Sequence, residues 1–406
     1  MTEPAPPAHG SRWLALVWLA LTSLLGMSTW FSGTAVLVPL RAAWHLSAEQ
    51  SAWLTIAVQL GFVAGALLSA LTNLLDVVPA RLVLVASALA AAAANAAFGH
   101  ATALPMALVW RALTGACLAG VYPPALKLMA TWFRAERGRA LGIMVGALTL
   151  GSAAPHLVRG LGDFGWREVV ATTSWLTLAG AAVALLLVRE GPFPFPRARF
   201  DPTQAGRVLH DRAVRLACIG YFGHMWELYA MWGWIGVFLA GRFEVHGGGT
   251  RTAELWTFAV MAVGFASSWW AGVYSDRVGR TASAALALAV SGSCALAIGM
   301  LHAAPLPIVL VLAVVWGASV IADSAQFSVM VTELADPAYV GTALTLQLSI
   351  GFVLTVATLW LVPWLRELGG WGAAFMALAP GPVIGVWAML RLRRLPEAAR
   401  LGSGMR

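Results

Sequence analysis

Residues 271–280 read AGVYSDRVGR, and this stretch decides how the rest of the chain folds. Gly272, Asp276, Arg277, Gly279 and Arg280 punctuate a charged turn between two apolar runs, 255–274 and 281–301. About 20 apolar residues in a helix cross the hydrocarbon core of a bilayer. A short turn between two such runs sends the chain back across the membrane and leaves its charges at the surface.

The composition extends that reading to the whole chain. Of 406 residues, 60% are hydrophobic and 11% charged, with mean hydropathy +0.77. A soluble domain carries about 25% charged residues. The expected fold class is therefore an all-α polytopic membrane protein, and the lipid bilayer is its solvent. The net charge of +8 does not point to nucleic acid, because its distribution reads as membrane topology. Cys117, Cys218 and Cys294 lie inside apolar segments without metal or disulfide spacing. Lys127 is the only lysine and follows no glycine-rich loop, which excludes a phosphate-binding P-loop. No cofactor, metal or ATPase motor is expected. No nucleophile–base pair stands out, so an enzyme is not expected either.

About twelve spans can be marked in order: 13–40, 52–71, 82–98, 104–132, 140–158 and 169–188, then 216–239, 253–274, 282–301, 306–331, 340–365 and 371–390. They define a polar tail (1–11), a six-helix bundle (12–188), a Pro- and Arg-rich linker (189–215), a second bundle (216–390) and a basic tail (391–406). The tails, the linker and the loops on their side hold 19 of the 26 Lys and Arg residues, against 6 on the opposite side and Arg111 within a span. Positive charge marks the cytoplasmic face. Both termini and the linker are expected in the cytoplasm, in a bacterial inner membrane, with the chain a monomer.

The halves read as a repeat. LPMALVWRALTGA from Leu104 aligns with LPIVLVLAVVWGA from Leu306, placing Gly115 on Gly317. Gly61, Gly65 and Ser69 in the second span align with Gly264, Ser268 and Gly272 in the eighth. Asp76 stands where Asp276 stands, in a degraded copy of the turn with Arg81 five residues on and Pro79 in place of a glycine. Small residues at every fourth position, also Gly142 and Gly146 in the fifth span, let helix backbones approach closely.

The turn at 272–280 resembles the cytoplasmic-loop motif of the major facilitator superfamily, G-x-x-x-D-R-x-G-R. RALTG from Arg111 resembles the R-x-x-x-G of the family's fourth helix, and WFRAERGRALG from Trp132 its loop before helix 5. The segment AGVYPPALKLMATWF is similar to the nitrate, nitrite and cyanate permease-like branch. That branch typically places an Arg in helices 2 and 8; here the second span offers Gln59 and the eighth, 253–274, has no basic residue. The resemblance implies two pseudo-symmetric six-helix bundles and a cavity lined by helices 1, 4, 7 and 10. It also implies a conformational gate formed by Asp76, Arg81, Gly272, Asp276, Arg277, Gly279 and Arg280. In that gate Asp276 would meet helix 5 and Asp76 would meet helix 11.

Ionisable residues inside spans are costly and mark function. Arg111 is the expected substrate-charge determinant, sharing a face with Thr114, Leu118 and Tyr122. Glu227 is the first expected proton carrier, beside His224 and Tyr229; Asp323 is the second, between Ser319 and Gln326. Trp30, Tyr122, Gln59, His224, Tyr229 and Gln326 complete the expected substrate-binding set, with His156 and Gln347 as weaker polar candidates. An empty cavity is expected to pair Arg111 with Glu227 or Asp323, because a buried guanidinium keeps its proton and needs compensation. The expected function is secondary transport of a small organic or inorganic anion by alternating access, coupled to protons. A drug-type exporter is the alternative within the family. A non-transporting membrane sensor would need an output domain, for which the tails are short.

Overall fold

The computed structural model describes residues 9–134, 136–193 and 200–404. Most of the 1–11 tail and the 194–199 core of the linker lie outside the described residues. The chain runs through twelve helical spans. The first, α1, is broken into His9–Gly26, Met27–Thr29, Ser32–Ala35 and Leu37–Trp44. Then come α2 (Ala48–Leu71), α3 (Ala80–Gly99), α4 (Leu104–Leu118 and Tyr122–Ala130), α5 (Arg137–Leu161) and α6 (Trp166–Leu186). The second half holds α7 (Arg212–Val245), α8 (Thr250–Val278), α9 (Arg280–Leu301) and α10 (Leu306–Ala322 and Ser324–Leu334). The run Val340–Met376 leaves helical geometry at Gly369 and Gly370, so it holds α11 and the start of α12, which ends in Pro380–Arg393.

The ends are set by residues that satisfy free backbone groups. Ser47 and Gln50 form a reciprocal capping box at α2, and the Asp211 carboxylate accepts from Ala213 and Val214 N–H at α7. Gly279, at φ +95°, makes the turn between α8 and α9, a conformation that L side chains rarely adopt.

Large apolar side chains face outward, as a lipid-facing surface requires. Trp175 is 67% exposed, Val311 64% and Trp387 57%. Polar residues point inward: Arg111, Asn95, Gln59, His224, Glu227 and Asp323 are all buried. Nine helical stretches among the described residues are long and apolar enough to span a membrane, one of them covering both α11 and α12. The more polar α7 and α8 complete the twelve.

The small residues act in two ways. In the first bundle, Gly61 and Gly65 of α2 lie against the backbone of Ala112 and Ala116 in α4, and Gly115 lies against the Val58 carbonyl. In the second, Gly317 of α10 lies against the Val260 carbonyl of α8. Both members of this contact are related by one offset, Val58 to Val260 and Gly115 to Gly317, so the repeat extends to matched packing. Between bundles, α5 and α8 run antiparallel at backbone contact: Gly272 meets the Gly138 carbonyl, Gly142 meets Ser268, and Gly160 meets Leu255.

Candidate functional site

The site begins where α1 loses its helix. Gly26, Ser28, Thr29, Ser32, Gly33 and Thr34 are poor helix formers, and their hydroxyls compete for backbone bonds. Phe31 and Val36 leave helical geometry, which frees the carbonyls of Thr29 and Trp30.

Arg111 takes those carbonyls. Its guanidinium donates to Thr29 O at 2.9 Å, to Trp30 O, to Ser32 Oγ at 2.9 Å, to Asn95 Oδ1 at 3.3 Å and to Leu54 O at 3.4 Å. The face of Phe98 lies 5.5 Å away. A side chain at Gly33 would press on the guanidinium, at 3.1 Å from Nε. Asn95 extends the network to α6 through Val170 O, Thr173 Oγ1 and Ser174 Oγ. The expected pairing of Arg111 with Glu227 or Asp323 is not formed. Carbonyl dipoles released by the break in α1 stand in for a carboxylate, and the charge stays inside its own bundle.

Glu227 has the corresponding place in the second bundle. One oxygen accepts from Trp316 Nε1 at 2.6 Å and the other from Ser291 Oγ at 2.7 Å, tying α7 to α9 and α10. His224 Nδ1 lies 2.8 Å from Asp323 Oδ1, each side chain 1% exposed. The two atoms approach without hydrogen-bond alignment, and His224 Nε2 has no partner. Asp323 sits at the break in α10, as Ala119–Val121 form the break in α4. That break separates Tyr122, half-buried, from the helix carrying Arg111, Thr114 and Leu118, so the expected continuous face is interrupted.

Between the two charged centres the bundles meet through aromatic rings. Trp30, Phe31 and Phe62 come from the first half; Tyr229, Trp232 and Phe352 come from the second. Ring centroids are 4.6 Å apart for Phe62–Phe352, 5.7 Å for Trp30–Phe352 and Phe31–Trp232, and 5.9 Å for Trp30–Tyr229. Beside these rings, the indole N–H groups of Trp30 and Trp232 and both amide atoms of Gln59 are buried without hydrogen-bond partners. Gln347 Nε2 is buried and unpartnered on α11.

At the end carrying the termini, the Asp276 carboxylate faces the first turn of α5: a Cβ on Gly138 would lie 3.0 Å from Oδ1. Arg280 donates to Glu333 at 2.9 Å and to Gln326 at 3.3 Å, and approaches Asp276 at 3.8 Å. Gln326 is thereby held by the turn, away from the aromatic crossing. Arg277 is exposed. Asp76 pairs with Lys127 of α4 at 3.2 Å, and Arg81 donates to the carbonyls of Ala184 and Leu185 at the end of α6. Asp76 therefore does not meet helix 11: Lys127, in the same bundle, takes it.

The first half, the α5–α8 seam with its charged Gly-punctuated turn, and the chain into α10 are matched by a family model. The model for the Major Facilitator Superfamily matches residues 18–321. The chain belongs to the major facilitator superfamily. It is an integral membrane transporter and not an enzyme.

Facilitator structures share its fold. A structure of the MFS proton:xylose symporter XylE bound to 6-bromo-6-deoxy-D-glucose matches with TM-score 0.72 at 16% identity, covering 95% of this chain and 96% of that one. A crystal structure of a D-xylose–proton symporter matches with TM-score 0.74 at 15% identity, covering 96% and 99%. At such identities the likeness is one of fold. No curated protein sequence matches the chain.

Reading the facilitator chain as sequence missed several residues. Phe31, Phe62 and Phe352 are ordinary apolar residues in apolar spans, and no spacing marks them as partners across the seam. Glu254 was missed as well. It lies near the start of α8 and bonds His156 Nδ1 at 2.7 Å and Arg159 Nε at 3.3 Å, both on α5. A carboxylate at the second position of the span 253–274 was the available signal.

Proposed function

We propose that this facilitator moves a small organic anion with a flat apolar body, by alternating access around the aromatic crossing, and couples the movement to protons. The observation that carries this reading is the convergence of Trp30, Phe31 and Phe62 on Tyr229, Trp232 and Phe352, beside unpartnered indole and amide groups. Aromatic faces with a few polar donors suit a planar organic solute. Arg111 lies behind Trp30 and is engaged by its carbonyl. Its role in this reading is a fixed positive field, because all three of its nitrogens donate to neutral acceptors. An inorganic anion of the nitrate type fits less well, since Gln59 and an aromatic wall replace the basic residues that would grip it.

The second bundle supplies the coupling proton. His224–Asp323 is our first choice, because its atoms approach without satisfying each other; Glu227, fixed by two donors, is second. The 19-to-6 distribution of basic residues supports cytoplasmic termini. A drug-type exporter is the second reading. Aromatic rings also stack on organic cations, and the charge of Arg111 opposes that.

The test is uptake into proteoliposomes under an imposed proton gradient, with aromatic carboxylates, neutral analogues of the same shape and aromatic cations in parallel. Gradient-dependent movement of carboxylates alone is expected. Movement of the cations alone would reject the anion reading in favour of the exporter. Asp323→Asn is expected to retain solute exchange and lose the response to the gradient.

A further inference from the structure

The termini end of the α5–α8 seam carries the family's motif. The opposite end carries something the motif does not describe. Glu254 of α8 is buried there, its side chain 9% exposed, and it binds His156 and Arg159 of α5 together. Other ion pairs among the described residues, such as Lys127–Asp76, Arg212–Glu397 and Arg280–Glu333, stay within one half of the chain. The pairs at Glu254 cross between bundles. Arg159 also donates to the carbonyl of Ala35 at 2.5 Å, so the same guanidinium holds the broken part of α1. Three residues before Glu254, near the start of α8, Arg251 donates to the carbonyls of Gly160 and Leu161 at the C-terminal end of α5. A cation suits the negative end of a helix.

We infer that Glu254, with His156 and Arg159, is the lock that closes the end of the transporter opposite the termini. Opening that end separates α8 from α5. Separation breaks both bonds at Glu254 and frees Arg159 from its double hold on Glu254 and Ala35. Ala35 lies four residues from Phe31, which stacks on Tyr229 at 6.1 Å. Solute that displaces these rings moves the segment Arg159 grips, so occupancy at the crossing is transmitted to the lock. The lock rests on alternating access as its premise, but its test needs no solute and no transport, so it is read independently of substrate class.

The test uses the full chain in nanodiscs, with Cys117, Cys218 and Cys294 replaced by Ala. One reporter cysteine is placed at a time. Thr257→Cys sits one turn inward from Glu254, where a Cβ on Gly236 would meet both Thr257 and His156. Ser268→Cys sits in the termini half of α8, against Gly142. A water-soluble maleimide reads the rate of access to each. Glu254→Gln, which keeps the shape and removes the charge, is expected to speed labelling at Thr257→Cys about tenfold and slow it at Ser268→Cys, because a lock shifts an equilibrium only through the state in which it is made. Arg159→Lys, which replaces the separate Nε and Nη1 donors to Glu254 and Ala35 by one ammonium, is expected to act in the same direction to a smaller extent; it carries the test if Glu254→Gln does not fold. Unchanged labelling at Thr257→Cys overturns the inference. Faster labelling at both reporters also overturns it, since that is loosened packing and not a lock on one end.

Discussion

Arg111 shows how a bilayer protein keeps a guanidinium without a carboxylate. Burying a charge is tolerable when its hydrogens are all engaged. The break in α1 supplies the acceptors, and Arg111 in return satisfies carbonyls that the break exposed. Each needs the other, which gives the residue a structural task separate from any effect on solute. Arg111→Gln removes the side-chain donor to Trp30 O and leaves Thr29 O with the Ser32 hydroxyl alone, at 3.0 Å. At about 1–3 kcal/mol for an orphaned buried group, the variant is expected to lose stability of that order, visible as a lower Tm in detergent without solute. Arg111→Lys keeps the charge but offers no planar fork, so it recovers part of that loss. A Tm equal to that of the unmodified protein in Arg111→Gln would show that the hinge holds itself. Gly33 gives an independent check: Gly33→Val crowds the guanidinium and lowers Tm without altering any charge.

Helix pairs explain which parts of the molecule could be read in the chain. The Gly115–Gly317 alignment was legible, because spacing along one helix is a local property that the sequence writes directly. So was the turn at Gly279, where a positive φ calls for glycine. What those glycines touch was not legible. The stripe on α2 serves packing against α4 inside a bundle, whereas the similar stripe on α8 reaches Gly138 and Gly142 across the seam. Similar patterns met different neighbours, and only tertiary structure chooses between them. The same reason hid the pairing of Asp76 with Lys127, since the repeat predicted helix 11. The repeat does make a prediction at this scale. A Cβ at Gly115 strikes the Val58 carbonyl, and one at Gly317 strikes the Val260 carbonyl. Backbone cannot swing aside as a side chain does, so overpacking here costs about 1–3 kcal/mol or more. Gly115→Ala and Gly317→Ala are expected to lower Tm by similar amounts, and Gly206→Ala, with open space around it, is expected to leave it unchanged. A drop in one half only would separate the two contacts that the offset equates.

Across the whole molecule, α8 clasps α5 at both ends, with the acid Asp276 at the N-terminal turn of α5 and the cation Arg251 at its C-terminal end. The Glu254 cluster also holds the C-terminal portion of α5. In the structure α5 and α8 touch along their length, so each clasp can be weakened alone. The sidedness is checked by reporter fusions after His210 and Gly248, which are expected in opposite compartments, the first cytoplasmic. Asp276→Asn then tests the clasp near the termini. Its carboxylate meets α5 only while that end is closed, so neutralising it removes stabilisation from one state and not the other. The group is 47% exposed, which places its contribution at about 0.5–1 kcal/mol, or roughly a two- to fivefold change in the ratio of states. Labelling of Ser268→Cys is expected to speed by that factor while Thr257→Cys slows, the reverse of Glu254→Gln. Combining the two substitutions weakens both closed ends at once. Because the sites lie at opposite ends of one helix and share no partner, their effects on the ratio should subtract. The double variant is therefore expected to label at a ratio of the two reporters displaced from the starting protein by the larger Glu254 effect less the smaller Asp276 effect. Additive acceleration at both reporters would mean that the ends open independently, and the rigid exchange between them would have to be abandoned.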